Sequence, residues 1–288
     1  MSDRLHRFLF EQAAIRGEIV SLDASFRAIL ARHDYPAVLH DLLGEFTAGA
    51  ALLAATIKFE GALIIQAQGT GPVQLLVVEC TSDGSLRALA QSDATVEPAP
   101  LRQLLGDARL AITIDPREGA QRYQGIVEVG ADSTAAAIEH YLERSEQLPT
   151  RLWLAVGPER AAGLLLQRLP GQDPDEDAWN RVTTLAATIT SEELLTLEAR
   201  ALLHRLFHEE DVRLFDPQPL HFRCTCSRER VVRALRMIGP DEVHALLKER
   251  GEIETHCEFC NQRYVFDPVD AEQIFAAAVQ TPTARTRH

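Results

Sequence analysis

Lysine is nearly missing from this sequence: of 29 basic residues, all but Lys58 and Lys248 are arginine. Positive charge is scarce overall, with 42 acidic residues giving a formal net charge of −13. Such a balance repels polyanions, which excludes proteins whose main work is to hold nucleic-acid phosphates or an anionic membrane surface. Long hydrophobic runs are also lacking. The longest weakly polar stretch, Ala48 to Ile57, falls short of the ~18 apolar residues a spanning helix requires. Near the N-terminus Phe8-Leu9-Phe10 is cut off by Glu11, too soon for the apolar region of a secretory signal. The expectation is a cytoplasmic protein with no membrane partner. Nucleotide and hydrolase motifs are missing too. There is no G-x-x-x-x-G-K-[ST] loop and no G-x-S-x-G elbow. Gly69-Thr70-Gly71 begins like a dinucleotide loop, but Gln74 stands where the third glycine belongs. His204 and His208 share a helix face, yet Arg205 occupies the glutamate position of H-E-x-x-H. They read as solvent-facing histidines, and the chain reads as no enzyme and no nucleotide binder.

What is present is unevenly spread. The 288 residues, 46% of them hydrophobic, suffice for two domains at ~150 residues each. Residues 221–288 carry 10 basic and 10 acidic side chains, so the whole −13 lies in residues 1–220, with 19 against 32. Four of the five cysteines also lie beyond Leu220. Charge and cysteine content therefore place a boundary there independently.

Hydrophobic spacing gives an α+β reading. Pro36 to Phe59 has helical period and few breakers, as a buried helix would. After Gly61 the period changes to two. Ala62 to Gln68, Val73 to Cys80 and Leu86 to Gln91 read as an antiparallel meander, turning at Gly69-Thr70-Gly71-Pro72 and Ser82-Asp83-Gly84-Ser85. Two further strand pairs follow: Arg109 to Ile114 with Tyr123 to Val129 across Asp115-Pro116-Arg117-Glu118-Gly119, and Arg151 to Val156 with Ala162 to Arg168. Between them Ser133 is the expected cap of a helix reaching Gln147. Pro170-Gly171-Gln172-Asp173-Pro174 breaks the chain, and residues 175–210 return to helical spacing. Asp173, Asp175, Glu176 and Asp177 read as a solvated acidic loop. Cys80, alone at the end of an apolar strand, reads as a buried inert thiol. The expected organisation is an antiparallel-sheet domain with helices over 1–174, a helical linker over 175–220 and a small zinc-binding domain over 221–288.

Cys224-Thr225-Cys226 is followed by thirty residues and then Cys257-Glu258-Phe259-Cys260. Clustered cysteines in a reducing compartment point to metal binding or redox chemistry rather than structural disulfides. Two close pairs suit the tetrahedral four-sulfur site that zinc prefers. The second pair has the usual knuckle spacing; the first is unusual, because C-x-C places two sulfurs on one face of an extended segment, about 6.6 to 6.8 Å apart at the backbone. A metal bridges that gap easily. A disulfide does so only near the top of its ~4.4 to 6.8 Å range of Cα separations, and a strained disulfide is labile. A static zinc site and a redox-sensitive one both remain open on spacing alone. Between the pairs, Val231, Leu235 and Ile238 form one apolar stripe and Val243, Leu246 and Leu247 a second, with Gly239-Pro240 between them and Gly251 after them. They read as two small helices around a metal, followed by a hairpin carrying Ile253, Tyr264 and Phe266. So small a core depends on its metal for folding. His221 and His256 border the cysteines as possible further ligands.

The four cysteines, the run Leu206-Phe207-His208-Glu209-Glu210-Asp211-Val212-Arg213-Leu214-Phe215, the string Cys226-Ser227-Arg228-Glu229-Arg230 and Ser145-Glu146-Gln147-Leu148-Pro149 resemble the 33-kilodalton heat-shock protein family over nearly the whole chain. These are redox-regulated, ATP-independent holdase chaperones of the bacterial cytosol. The resemblance implies that Cys224, Cys226, Cys257 and Cys260 hold one zinc ion in a reduced, inactive monomer whose linker is docked on the first domain. It further implies that hypochlorous acid, or peroxide with unfolding stress, joins Cys224 to Cys226 and Cys257 to Cys260 and expels the metal. The last domain and then the linker unfold, and the oxidised homodimer binds unfolding client proteins. Val182, Leu185, Ile189, Leu194, Leu195, Leu202, Leu203 and Leu206 would supply the linker's apolar surface, while Thr183, Thr184, Thr188, Thr190 and Thr196 weaken its helices. The strong negative charge would keep such a protein soluble once that surface is exposed. Two rivals are a zinc-ribbon nucleic-acid-binding regulator, using Arg223, Arg228, Arg230, Arg233 and Arg236, and a thiol oxidoreductase, which needs its C-x-x-C at a helix N-terminus.

Overall fold

The protein is described by a computed structural model, which covers residues 3–93, 95–116, 121–170, 175 and 177–279. It opens with an antiparallel pair, β1 (Arg4–Phe10) and β2 (Ile15–Leu22), then α1 (Ala24–Leu30) and α2 (Ala37–Thr56). A meander follows, β3 (Gly61–Gln68), β4 (Val73–Thr81) and β5 (Ser85–Ser92), then the short α3 (Leu101–Leu105) and the pair β6 (Arg109–Pro116) and β7 (Tyr123–Glu128). Next come α4 (Thr134–Ser145), β8 (Thr150–Val156) and β9 (Ala161–Arg168). Three helices, α5 (Ala178–Ala186), α6 (Ser191–Thr196) and α7 (Ala199–Phe207), lead to three very short strands, β10 (Val212–Leu214), β11 (Gln218–Pro219) and β12 (His221–Phe222). The chain divides into two compact units, Met1–Arg223 and Cys224–His288.

In the first unit the described strands form two six-stranded sheets. One runs β10-β1-β2-β9-β8 with β11 also on β1, and the other runs β12-β5-β4-β3-β6-β7. Every pairing is antiparallel except β12 with β5. Helix α2 lies between the sheets. Its Leu43, Phe46, Leu52 and Leu53 share one core with Val20 and Leu165 of the first sheet and with Leu63, Ile65, Leu76 and Val78 of the second. The register explains why that core closes: Leu63, Ile65 and Ala67 stand opposite Cys80, Val78 and Leu76 on one side and Ile114, Ile112 and Leu110 on the other. Alternation thus sends three strands' apolar residues to one face. Close approach of α2 to the first sheet requires Gly163, where a Cβ would stand 2.7 Å from Leu52 Cδ1.

The first sheet is apolar on both faces. Leu5, Val20, Leu22 and Leu165 face α2, whereas Phe8, Phe10, Ile15, Ile19, Leu164 and Leu166 face outward and are covered by α5, α6 and α7. Gly17 lies opposite Phe8 in register, and a Cβ there would sit 2.1 Å from Phe8 Cζ. The ring of Phe207 on α7 packs 6.4 Å from Phe8 and 5.1 Å from Phe10, centroid to centroid.

Several expectations are corrected. Helix α2 is long and apolar enough to cross a membrane by length and composition, contrary to the reading of Ala48 to Ile57 alone, but 67% of that window is buried inside the protein, as a core helix is. The expected boundary at Leu220 falls instead after Arg223, because His221 and Phe222 pair with Ser85 and Leu86. The turn residues 117–119, the break at 171–174, Asp173, Glu176 and the polar end 281–288 lie outside the described residues. Ser133 does cap α4, its side chain accepting from the Ala136 N–H.

The second unit is built from α8 (Arg228–Ile238), α9 (Pro240–Arg250), the hairpin β13 (Ile253–His256) and β14 (Arg263–Phe266), and α10 (Pro268–Val279). Its buried core is Leu235, Val243, Leu247, Phe266, Ala271 and Ile274. Helix α10 is a third helix where two were expected. It starts at Pro268 behind Asp267, whose Oδ1 accepts from the Asp270 N–H at 2.8 Å while Asp270 Oδ2 accepts from the Asp267 N–H at 3.1 Å. Ile238, expected in the stripe of α8, is 53% exposed. The helix stops there, with Gly239 at φ 99°, and no later turn carries the stripe on.

Candidate metal centre

The two cysteine pairs reach one point from separate elements. Cys224 and Cys226 lie on the extended segment before α8, whose start is set by Ser227 accepting from the Arg230 N–H. Cys257 and Cys260 occupy the turn of the β13–β14 hairpin. That turn is closed by Cys257 N–H to Gln262 O at 3.0 Å and Asn261 N–H to Cys257 O at 2.7 Å, with Asn261 in the left-handed region at φ 56°.

All four Sγ atoms lie within 4.8 Å of one another. Cys224 Sγ is 3.7 Å from Cys257 Sγ, and Cys226 Sγ is 3.4 Å from Cys260 Sγ. A tetrahedral four-sulfur zinc site with Zn–S of ~2.3 Å has sulfurs about 3.8 Å apart along each edge. The spacing fits that geometry, and all four cysteines are free of disulfides. The electrostatics fit as well. For Cys224, burial pushes the thiol up, but the Cys226 N–H and hydrogen bonds with the other sulfurs bring it down to about 7. Burial pushes the thiols of Cys257 and Cys260 upward. Four thiols this close cannot all ionise without a cation among them. A divalent metal is what would let them.

The surrounding residues hold the donors in place. Tyr264 Oη donates to Cys226 Sγ at 3.1 Å, and this bond, ahead of burial, raises the phenol above its ordinary range. Arg228 ties three elements together: Nη1 donates to Val265 O at 2.8 Å, Nη2 pairs with Asp270 Oδ1 at 2.7 Å, and the guanidinium lies 4.2 Å from the Phe266 ring centre. Arg230 Nη1 donates to Thr225 Oγ1 at 2.8 Å, between the first two cysteines. These supporting roles were not read from the sequence. The signal was the adjacency of Arg228 and Arg230 to Cys226 and of Tyr264 to Cys260.

The neighbouring histidines take no part in the cluster. His221 belongs to β12, with Nε2 3.1 Å from Ser85 Oγ, and His256 Nε2 lies 3.6 Å from Glu254 Oε1. His204 and His208 are exposed on α7 and its cap. Cys80 is 2% exposed, and its thiol is pushed up to about 12 by burial and then by Asp83 and Glu79, which leaves it unreactive.

Comparison with known proteins agrees over the full length. The family model described as Hsp33 protein matches residues 3–267. The 33 kDa chaperonin of Nitrosococcus oceani is 51% identical over 286 residues, 99% of each chain. That of Methylobacillus flagellatus is 50% identical, covering 100% of this chain and 99% of its own. The crystal structure of the 33 kDa chaperonin from Thermotoga maritima superposes with a TM-score of 0.82 at 21% identity, covering 96% of this chain and 99% of the other. The chain belongs to the Hsp33 family.

Proposed function

We propose that this protein is a redox-regulated, ATP-independent holdase chaperone of the bacterial cytosol. Cys224, Cys226, Cys257 and Cys260 hold one zinc ion in the reduced monomer. The observation that carries this reading is the convergence of four sulfurs at tetrahedral-edge spacing in a unit whose described apolar core is six residues. The names of its relatives, 33 kDa chaperonins, support the chaperone role. When bound, zinc supplies a cation that keeps four thiolates together and couples their ligation to folding.

Oxidation removes those donors. Each pair of thiolates gives two electrons to one hypochlorous acid molecule, which takes up a proton from solvent and leaves as chloride and water, and one S–S bond forms per pair: Cys224 to Cys226 and Cys257 to Cys260. The second unit then loses the ligation its small core depends on. Helices α5 to α7, which make up most of the linker, come away next from the outer face of the first sheet. Phe8, Phe10, Ile15, Ile19, Leu164 and Leu166 become the apolar surface for clients, and the oxidised protein dimerises. The acidic charge of the rest of the chain opposes aggregation in that state.

The linker's local chemistry supports release. Thr183, Thr188 and Thr196 turn their hydroxyls back to the carbonyls of Trp179, Leu185 and Glu192, and strands β10 to β12 are two or three residues each. The rivals find less support. Arg228, Arg230 and Arg236 are engaged within the second unit rather than arrayed for phosphates, and Cys257 follows a strand instead of opening a helix. The test is zinc release and suppression of aggregation of a heat-labile client, with and without hypochlorous acid. Zinc loss accompanied by gain of activity is expected; constant zinc and constant activity overturn the proposal.

A further inference from the structure

A cavity of about 470 Å³ opens in the first unit between the ends of β1 and β2, the C-terminal turn of α2 and the β4–β5 turn. Its volume lies within the ~300 to 1,000 Å³ of small-molecule sites. Its lining is unusual for a chain of net charge −13: it contains Arg7, Arg16 and Lys58 and no acidic side chain. Lys58 is one of only two lysines in the sequence.

The three cations are placed by the fold. Arg7 and Arg16 lie on the α2 face of the first sheet, in step with Leu5 and Val20, and Lys58 follows α2 directly. Arg16 is held in position by Gln167, whose Oε1 accepts from its Nε at 3.0 Å and also from Nη2, while Gln167 Nε2 donates to Thr150 Oγ1 at 2.9 Å. Two of the five guanidinium donors are thus used for orientation, and the others remain for a ligand. Among the described residues, Arg7 and Lys58 have no salt-bridge partner, and both are exposed.

A carboxyl group lies buried behind them. Glu18 stands opposite Arg7 in register and is 1% exposed, with Oε2 lacking any hydrogen-bond partner. Burial pushes it up to about 7 against the opposing pull of Arg16 and Arg7. Even when ionised it offsets only one of the three positive charges that line the cavity. Thr56, Thr81 and Ser82 add hydroxyls and Gln218 an amide to a wall that is otherwise largely apolar.

We propose that this cavity is an anion site that takes a phosphate group, either inorganic phosphate or the phosphate end of a small ester, between Arg7, Arg16 and Lys58. Planar guanidinium groups suit tetrahedral oxyanions bidentately, and a lysine adds a point charge. The site is lined by residues of the first unit alone.

The experiment is calorimetric titration of the full-length reduced protein with inorganic phosphate and with glycerol phosphate, at constant ionic strength set by chloride. Saturable one-to-one binding is expected, weakened about tenfold by Lys58→Met and by Arg7→Gln and unchanged by Lys248→Met in the other unit. Lys58 is exposed, so its replacement leaves the fold intact even if Arg7→Gln does not. Tighter binding of the ester identifies a phosphorylated metabolite, and tighter binding of phosphate identifies the free ion. Absence of saturable binding of both probes, or binding indifferent to Lys58→Met, overturns the proposal.

Discussion

The two units are stabilised by different means. In the first, α2 is enclosed by two sheets, and a second apolar layer forms where α5 to α7 cover the outer face of the first sheet. In the second, three helices and a hairpin share, among the described residues, six buried apolar side chains and converge on four sulfurs. Hydrophobic burial grows with size and suffices for the first; a segment as short as Cys224–His288 lies where a staple or metal is usually needed. A fold held by thiolates can be undone by oxidation, whereas one held by apolar burial cannot. The proposed oxidant-sensing chemistry therefore sits in the unit least able to hold itself together.

Removing the metal should separate the units most sharply. Structural zinc contributes ~10 to 16 kcal/mol in small zinc modules, so chelation or Cys257→Ser is expected to unfold residues 224–279 while leaving α2 and β3 to β6 intact. Backbone NMR signals retained across α8 to α10 in the Cys257→Ser protein would erase the contrast.

Within the first unit, the two apolar layers should respond differently. Phe207→Ala in the outer layer and Phe46→Ala in the inner one each remove a buried ring and cost about 3 to 5 kcal/mol. The first is expected to loosen α5 to α7 and give the reduced protein partial client-holding activity. The second is expected to lower global stability without that gain. Equal effects on activity, measured by light scattering of a heat-labile client, would mean that the outer layer is no more releasable than the core.

Glu18 supplies a pH test of the inner layer. Its folded-state pKa of about 7 is above the ordinary 4.5, so its neutral form favours folding. That contribution is fully present below about 4.5 and is lost as pH rises through 7, at most about 3 kcal/mol. Glu18→Gln is therefore expected to gain stability over the native protein as pH increases from 5 to 8 in denaturant titrations. Parallel stability curves would show that Arg7 and Arg16 neutralise the carboxylate in full.

The smallest effects sharpen the second unit. Arg228→Ala removes a hydrogen bond, an ion pair and a ring contact and is expected to cost about 1 to 3 kcal/mol, read as easier zinc loss to a chelator. Arg205→Ala, which breaks a surface pair with Glu193 at 3.0 Å, should change stability by under ~1 kcal/mol. A reversed order would place the important contacts in the linker.

How much of this was legible in the sequence follows from the same physics. The β3–β5 meander and the β8–β9 pair were readable because Gly-Pro and Asp-Gly turns separate them. Strands β1 and β2 went unread: the first sheet is covered on both faces, so Phe8 and Leu5 belong to opposite cores and no simple alternation marks them. The cysteine cluster was legible because ligand spacing is local, and metal ligation needs little else. Its supports, Tyr264 and Arg228, depend on the hairpin folding back, which spacing does not encode. The boundary shifted from Leu220 to Arg223 because a parallel pairing of two residues with β5 leaves no mark in charge or cysteine content. Helix α10 did leave one, the Asp267-Pro268 start, which the apolar stripes of α8 and α9 overshadowed.

The central claim is that oxidation of cysteines in one unit frees helices in the other. Amide hydrogen exchange across residues 178–207, compared in the zinc-bound reduced protein and after hypochlorous acid has released the metal, tests it directly. Protection is expected to collapse in α5, α6 and α7 while α2 and β3 to β6 keep theirs. Unchanged protection over 178–207 after complete zinc release would contradict the claim.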